Sequence, residues 1–302
     1  MTIPIFSIII PVKVPTQYLK ETLKKLKKQS FKSFEILVIT DKISKSSNPS
    51  VKRNLGAKMA KGKYLAFLDD DSYPSRNWLK NAKIVLDKKS TAAAACGPCL
   101  TPPKDTVGQL ASGLFWSSCL GSGGAGNYRS SVQASRSVDD FPSVNLIVKK
   151  KDFDKIGGFS TKDWPGEDTV LCLDLTKKLN KQIIYNPKIV VYHHRRTILK
   201  PHLQQIGRYA KMRGSFVKKY PATSARLGYF LPSLFFLYLI SLPIHRFLFP
   251  LYLYLLALFI TFLIFIKNKS NPTASFLAII ITPITHLYYG ILFLVGLFQN
   301  EK

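Results

Sequence analysis

Asp69, Asp70 and Asp71 stand in a row directly after an apolar run, Tyr64 to Leu68. Three adjacent carboxylates repel one another, and a divalent cation relieves that repulsion. Hard oxygen ligands suit Mg2+ or Mn2+, and Mg2+ takes few carboxylates and fills its shell with substrate phosphates. The plain alternative is a solvated turn, since Asp71-Ser72-Tyr73-Pro74 is turn-like. Cys96-Gly97-Pro98-Cys99 has the spacing of a redox pair. Such a pair needs a helix that lowers the first thiol's pKa, and Pro102 and Pro103 just beyond it block that helix. It reads as a strand running into a turn, and no His or second Cys pair supports zinc. Gly-rich 121–126 lacks the strand-turn-helix setting of a phosphate-binding loop and reads as a loop.

The elements that must position these residues alternate. Phe6 to Val12 is a continuous apolar run of the kind buried on both faces of a parallel sheet. Thr16 to Gln29 places Leu19, Leu23 and Leu26 on one face of a Lys-rich helix. Phe34 to Thr40 reads as a second strand, Ser44 to Ser50 as a loop and Val51 to Ala60 as a short helix. Tyr64 to Leu68 is a third strand and Trp78 to Lys88 another helix. This β-α-β-α-β order predicts a parallel sheet with ligands at the carboxyl ends of its strands. Asp41 and Asp69 to Asp71 fall at those ends.

Charge is distributed unevenly. The chain of 302 residues has 44 Lys and Arg against 17 Asp and Glu, a net of +27. From Leu227 onward the only charged residues are Arg246, Lys267, Lys269, Glu301 and Lys302, so the preceding part carries +24. That split excludes an ordinary cytosolic enzyme. Leu227 to Ile244, Phe247 to Ile266 and Thr273 to Phe298 are uncharged runs of 18, 20 and 26 residues. A bilayer core takes about 20 apolar helical residues. The second and third runs qualify, with Pro250 and Pro283 kinking or delimiting them. The first, with Pro232 and Pro243 near its ends, reads as a third span or as an interfacial helix. Met1 to Val12 has no basic residue ahead of its apolar run and reads as a strand rather than a signal peptide.

Nine basic residues between His193 and Arg226 precede the first run. The positive-inside rule then predicts a multi-pass protein of the cell membrane with everything before Leu227 in the cytoplasm. Membrane lipids and anionic substrates are the expected partners of the charge. Nucleic acid is the rival partner, disfavoured by the carboxylates and the anchor. The four cysteines are expected to be reduced.

SIIIPV (Ser7 to Val12), FEILVITD (Phe34 to Asp41) and KRNLGAKMAKGKYLAFLDDDSYP (Lys52 to Pro74) occur in this order. They are followed by NLIVKKKDFDKIGGFS (Asn145 to Ser160), GED (Gly166 to Asp168) and IIYNPKIVVYHH (Ile183 to His194). In these pieces the chain resembles the family 2 glycosyltransferases of GT-A fold. The resemblance implies an α/β, Rossmann-like nucleotide-sugar-binding domain followed by C-terminal transmembrane helices. It also implies a nucleotide-sugar donor, a divalent metal (Mg2+ or Mn2+) and inversion at the anomeric carbon.

By the same resemblance, Pro11, Asp41, Arg53, Asp69 and Asp70 would bind the donor, Asp41 at its base and Arg53 at its diphosphate or ribose. Asp71, Asp69 and His193 would hold the metal, with His194 as the alternate. Asp168 would be the general base, and it also suits the N-cap of a helix over Thr169 to Leu179. Glu167 and Trp164 would lie on the acceptor side. Asp174 stands where the family often has a basic residue. Gln205-Ile206-Gly207-Arg208-Tyr209 resembles the Gln-x-x-Arg-Trp motif of processive members, placing Gln205 and Arg208 on the acceptor side too. Tyr209, Met212 and Phe216 at helical spacing in His202 to Lys219 fit a helix on the membrane surface.

The expected organisation is a catalytic domain over 1–198, a basic amphipathic interfacial segment over 199–226 and a membrane domain over 227–302. The expected function is transfer of one sugar to a lipid-linked or membrane-presented glycan acceptor in cell-envelope synthesis. A processive synthase and a catalytically inactive scaffold of the same fold are the alternatives. A transporter is disfavoured because the terminal helices lack acidic residues.

Overall fold

The computed structural model describes residues 3–123 and 126–299. Its strands are β1 (Phe6–Val12), β2 (Phe34–Thr40), β3 (Tyr64–Phe67), β4 (Ser72–Pro74) and β5 (Ala92–Cys96), then β6 (Cys99–Leu100), β7 (Arg136–Val138), β8 (Leu146–Lys149), β9 (Gln182–Tyr185) and β10 (Val191–His193). The first helices are α1 (Gln17–Lys27), α2 (Asp41–Ser44), α3 (Pro49–Met59), α4 (Trp78–Lys88), α5 (Val107–Ser117), α6 (Lys150–Ile156) and α7 (Glu167–Leu173). They are followed by α8 (Lys200–Lys219), α9 (Pro221–Ser224), α10 (Leu227–His245), α11 (Phe249–Lys267) and α12 (Pro272–Phe298).

The chain divides into two compact units. One comprises the residues up to Leu100 together with Ser131–His193, and the other Thr101–Ser130 together with His194 onward. The sequence-based boundaries at 198 and 226 cut the chain differently, because they leave 101–130 with the catalytic part.

The first unit is built on a seven-stranded sheet in the order β2-β1-β3-β8-β5-β9-β7. β1 is buried at all seven positions and pairs in parallel with β2 and β3, as its unbroken apolar run predicts. Beyond β3, where the β-α-β-α-β reading ends, the sheet becomes mixed. β8 lies antiparallel between β3 and β5, and β7 lies antiparallel to β9. A strand buried on both faces reads the same in either direction, so Leu146 to Val148 carry no sign of polarity.

Helix starts follow local chemistry. Asn48 accepts from the Ser50 amide at 2.8 Å with Pro49 in the first turn, which starts α3 two residues before the expected Val51. Thr40 caps a helical turn, α2, where Asp41 was expected simply to end a strand. The helix expected over Thr169 to Leu179 is α7 continued by a π-helical turn over Asp174–Lys178, with Gly166 rather than Asp168 at the N-cap.

A smaller sheet runs β4-β10-β6, and its register sets His193 opposite Ser72. Cys96-Gly97-Pro98-Cys99 is the strand-turn-strand between β5 and β6, with both thiols buried. A side chain at Gly97 would sit 2.2 Å from the Ile189 carbonyl oxygen, so the turn needs glycine for close approach rather than cysteine for chemistry.

In the second unit, α5 is capped reciprocally by Thr106 and Gln109. It packs Ala111, Leu110 and Leu114 around Phe265 of α11 and Ala274 and Ala278 of α12. α10, α11 and α12 are long and apolar enough to cross a membrane. Pro232 and Pro243 lie inside α10 and Pro283 inside α12. α8 runs along α12 at close range. A Cβ at Gly214 would lie 2.1 Å from the Phe293 carbonyl oxygen, and one at Gly296 2.1 Å from that of Lys211. Met212 and Phe216 are buried inside this unit, not laid out as a free membrane-facing stripe, because α12 already covers much of that helix. Residues 124 and 125 of the Gly-rich stretch lie outside the described residues.

Candidate active site

The carboxyl end of β3 leads directly into Asp69 to Asp71, and the pairing of β10 with β4 delivers His193 to the same place. One ligand atom from each of Asp69, Asp71 and His193 lies within 4.8 Å of the others. Among the described residues this is the one group of three or more His, Cys, Asp or Glu side chains close enough to share an ion. His193 Nε2 is 3.2 Å from Asp71 Oδ1, and His193 Nδ1 is buried without a hydrogen-bond partner. Two carboxylates and an imidazole make a donor set that fits Mg2+ or Mn2+. His194 points elsewhere in sequence and pairing: its Nδ1 is 2.6 Å from Asp105 Oδ1, in the second unit. The Asp70 carbonyl accepts from Thr22 Oγ1 at 3.5 Å.

Arg53, Asn54 and Gly56 of α3 each meet a different part of the first unit. Arg53, 5% exposed, donates through Nη2 to Asp69 Oδ1 at 2.8 Å and through Nη1 to Glu167 Oε1 at 2.9 Å. Burial alone would lower the guanidinium's pKa, and the Asp69 and Glu167 carboxylates more than offset it, so Arg53 is raised. Burial pushes the Glu167 carboxyl up, against the pull of Arg53. Asn54 forms two bonds with Phe159, Nδ2 to its carbonyl at 2.8 Å and Oδ1 from its amide at 2.9 Å. Gly56 lies against β1, where a Cβ would be 2.6 Å from Ile9 Cγ2. This helix therefore ties the aspartate strand to the segment that carries Glu167.

Asp41 Oδ1 accepts from Lys52 Nζ at 2.6 Å, and the same ammonium donates to the Val12 carbonyl at 3.1 Å. Pro11 precedes Val12 in β1, opposite Ile39 of β2. Asp168 sits in the first turn of α7, where Oδ1 accepts from the Thr169 amide at 2.8 Å and Oδ2 from the Ser143 amide at 3.4 Å. Trp164 is 46% exposed just before that helix. Gln205 is half-buried and Arg208 exposed on α8, in the second unit.

Sequence reasoning missed Lys52, the Asn54 clamp and Asn145. Asn145 is fully buried, accepts from Trp78 Nε1 at 2.8 Å and donates to the carbonyls of Gly97 at 2.7 Å and Ile189 at 2.8 Å. It joins β8, the turn after β5 and the approach to β10, and so holds the strand that delivers His193. A buried amide beside an apolar strand is the one signal that could have marked it.

An α/β sheet with an acidic cluster after its third strand and a histidine returned by a late strand has the architecture of the GT-A fold. Residues 42–124 match the family described as Glycosyl transferase family 2. Pre-mycofactocin glycosyltransferase of Mycobacterium tuberculosis is 24% identical over 186 residues, which cover 60% of this chain and 37% of that protein. Poly(ribitol-phosphate) beta-N-acetylglucosaminyltransferase TarS of Staphylococcus aureus is 30% identical over 108 residues, 28% of this chain and 19% of that one. The match thus spans from about a fifth to little more than a third of the length of these curated relatives. The mannosyltransferase PcManGT from Pyrobaculum calidifontis, solved with GDP-Man and Mn2+, shares the fold with a TM-score of 0.56 at 16% identity, over 99% of this chain and 88% of its own. The family likeness thus rests on residues 42–124, and the fold likeness extends over the wider chain.

Proposed function

We propose that the protein is a metal-dependent, inverting glycosyltransferase that moves a sugar from a nucleotide-sugar donor to a lipid-linked or membrane-presented acceptor for cell-envelope glycan synthesis. The observation that carries this reading is the convergence of Asp69, Asp71 and His193 beside an Arg53 that also holds Glu167. Asp71, Asp69 and His193 would hold Mg2+ or Mn2+, and the bound ion would supply positive charge to the departing nucleoside diphosphate. The mannosyltransferase that shares the fold was solved with Mn2+, which supports the same choice here.

This chain's own residues supply the rest. Asp41, fixed by Lys52, offers a carboxylate to the donor base, next to Pro11 and Val12. Arg53 sets the positions of Asp69 and Glu167, with Asp70 between the metal-side carboxylates. Asp168 takes the proton from the acceptor hydroxyl as its oxygen attacks the anomeric carbon from the face opposite the leaving group. Trp164 offers the acceptor an exposed aromatic face, and Gln205 and Arg208 are assigned to the acceptor as well. The basic residues between His193 and Arg226 favour a cytoplasmic catalytic unit, with α10, α11 and α12 as the membrane domain.

The test is nucleoside diphosphate release from a panel of nucleotide sugars by the purified full chain, with Mn2+, Mg2+ or EDTA. Release should require metal and vanish in Asp71→Ala. In Asp168→Asn, transfer should fall by about 10²- to 10⁴-fold with donor affinity little changed. Full activity in EDTA would remove the metal from the mechanism. A near-native rate in Asp168→Asn would point to an acceptor already ionised, such as a lipid phosphate.

A further inference from the structure

We propose that the first unit carries a second binding site, for an organic phosphate, at the end of the sheet away from the aspartates. A cleft of about 770 Å³ opens there, with Lys61, Lys63, Lys149, Lys150 and Lys151 in its wall. That volume is within the ~300–1,000 Å³ of small-molecule sites.

The two carboxylates of the cleft are already engaged. Asp87 lies 2.6 Å from Lys83 and 3.4 Å from Lys63 and also accepts from the Tyr64 hydroxyl, while Asp154 lies 3.1 Å from Lys150. Lys61, Lys149 and Lys151 have no salt-bridge partner among the described residues. Lys149 is the telling one. It is 7% exposed, and its ammonium is met only by the carbonyls of Lys89 and Ser90, each at 3.3 Å. Burying an ammonium without a directly bonded carboxylate is costly, and burial, only partly offset by the Asp152 charge and reinforced by Lys151, Lys181 and Lys63, holds its pKa below the ordinary lysine value. An anion in the cleft would relieve that cost. The lining also includes apolar Ile3, Pro4, Ile5 and Leu86, so the anion that fits best carries an apolar body. Lysine binds phosphate as a point charge without demanding a fixed geometry, which suits a cluster on separate elements.

This site is not the donor site. Tyr64 lines the cleft, and Asp69 is five residues further along the direction of β3, about 16 Å away at roughly 3.3 Å per residue. The phosphate could belong to a soluble metabolite or to an anionic lipid headgroup, and the two are separable by experiment.

The full chain would be placed in nanodiscs and acetylated, with lysine reactivity read by mass spectrometry. One arm uses zwitterionic phosphatidylcholine discs with and without phenyl phosphate. The other uses discs containing phosphatidylglycerol. Protection of Lys61, Lys149 and Lys151 by phenyl phosphate assigns a soluble ligand, and protection by phosphatidylglycerol alone assigns a headgroup. Lys61→Glu/Lys151→Glu, both exposed and safe for folding, should weaken the protecting probe by about tenfold, the order expected for lost charge-assisted contacts. Lys20→Glu/Lys24→Glu on α1, with the same change in net charge, should not. Neither should Asp71→Ala, which separates this site from the donor site. Protection by neither probe, or equal weakening in the two lysine pairs, would overturn the proposal.

Discussion

The two units differ in how they join their main elements. In the first, buried cations are paired with carboxylates: Arg53 with buried Glu167 and half-buried Asp69, Lys52 with half-buried Asp41. The second buries Arg213 on α8 and the His194–Asp105 pair, but the contacts of α12 with α8 and α10 are made by neutral groups. His202 is fully buried on α8, 3.0 Å from Ser112 Oγ on α5 and 3.2 Å from Thr285 Oγ1 on α12. Burial holds its imidazole down to about 4, so it is uncharged near neutral pH. Ser233 on α10 likewise donates to the Gly290 carbonyl on α12 at 2.9 Å. Charges held in place can meet a charged ligand without reorganising, and they make the unit fragile to loss of one partner. Neutral bonds and glycine contacts suit helices that have little water to compete for their polar groups.

The largest effect should come from unpairing the first unit. Arg53→Ala leaves Glu167 buried opposite nothing, with one of its oxygens already lacking a partner. Breaking a buried pair from one side costs about 3–5 kcal/mol. Trp78, buried in the same unit, reports its unfolding. Adding Glu167→Gln should recover part of the loss, since it removes the stranded charge. If the double variant is as unstable as the sum of the singles, the pair is not what holds this region.

The next effect belongs to the second unit and is a pH dependence. His202 titrates near 4 when folded and at its ordinary value of 6.5 when unfolded. The unfolded chain therefore binds the proton more readily. The stabilising contribution is complete above pH 6.5 and is lost as pH falls towards 4, on the order of 3 kcal/mol in all. Unfolding midpoints measured over that range should fall in the native chain and stay flatter in His202→Gln. An identical fall in both would assign the pH response to other groups.

This contrast also explains what could be read from the sequence. β1, β2 and α4 have the bounds that their apolar patterns predict, because burial on one or two faces writes itself into residue spacing. The aspartate cluster was legible for the same reason, as a break in such a pattern. The direction of β8 was not, since Leu146 to Val148 are apolar on both faces. Nor was α5 read as a helix, although Thr106 and Gln109 have the spacing of a capping box. Its assignment to the second unit depends on contacts with α11 and α12, far along the chain. The roles of Asn54 and Asn145 depend on single backbone carbonyls or amides brought close by the fold, which leave no periodic mark.

A smaller effect should follow from crowding the helix contact. In Gly296→Ala the new methyl would sit 2.1 Å from the backbone carbonyl oxygen of Lys211, which cannot move without shifting α8. Overpacking of this kind costs about 1–3 kcal/mol. The expected readout is a lower unfolding midpoint with donor binding in the first unit unchanged. Loss of donor binding with an unshifted midpoint would contradict the idea that this contact serves stability.

The smallest effect tests whether burial, rather than charge pairing as such, makes the first unit's pairs matter. Asp87 is paired too, but its side chain is 35% exposed. Hydrogen bonds from Lys83 and then Tyr64 hold its carboxyl down to about 2 from an ordinary 3.8. A depressed carboxyl stabilises the fold above its unfolded value, and that contribution is lost as pH falls from about 4 towards 2. Solvent screening leaves an exposed pair at most about 1 kcal/mol, despite its short distance. Asp87→Asn should therefore lower the unfolding midpoint only slightly at pH 7 and still less near pH 2, and added salt should shrink the difference. Arg53→Ala should keep most of its larger cost in the same salt, because the Glu167 side chain it strands is only 7% exposed. If salt diminished both to the same degree, burial would not be what separates the two kinds of pair.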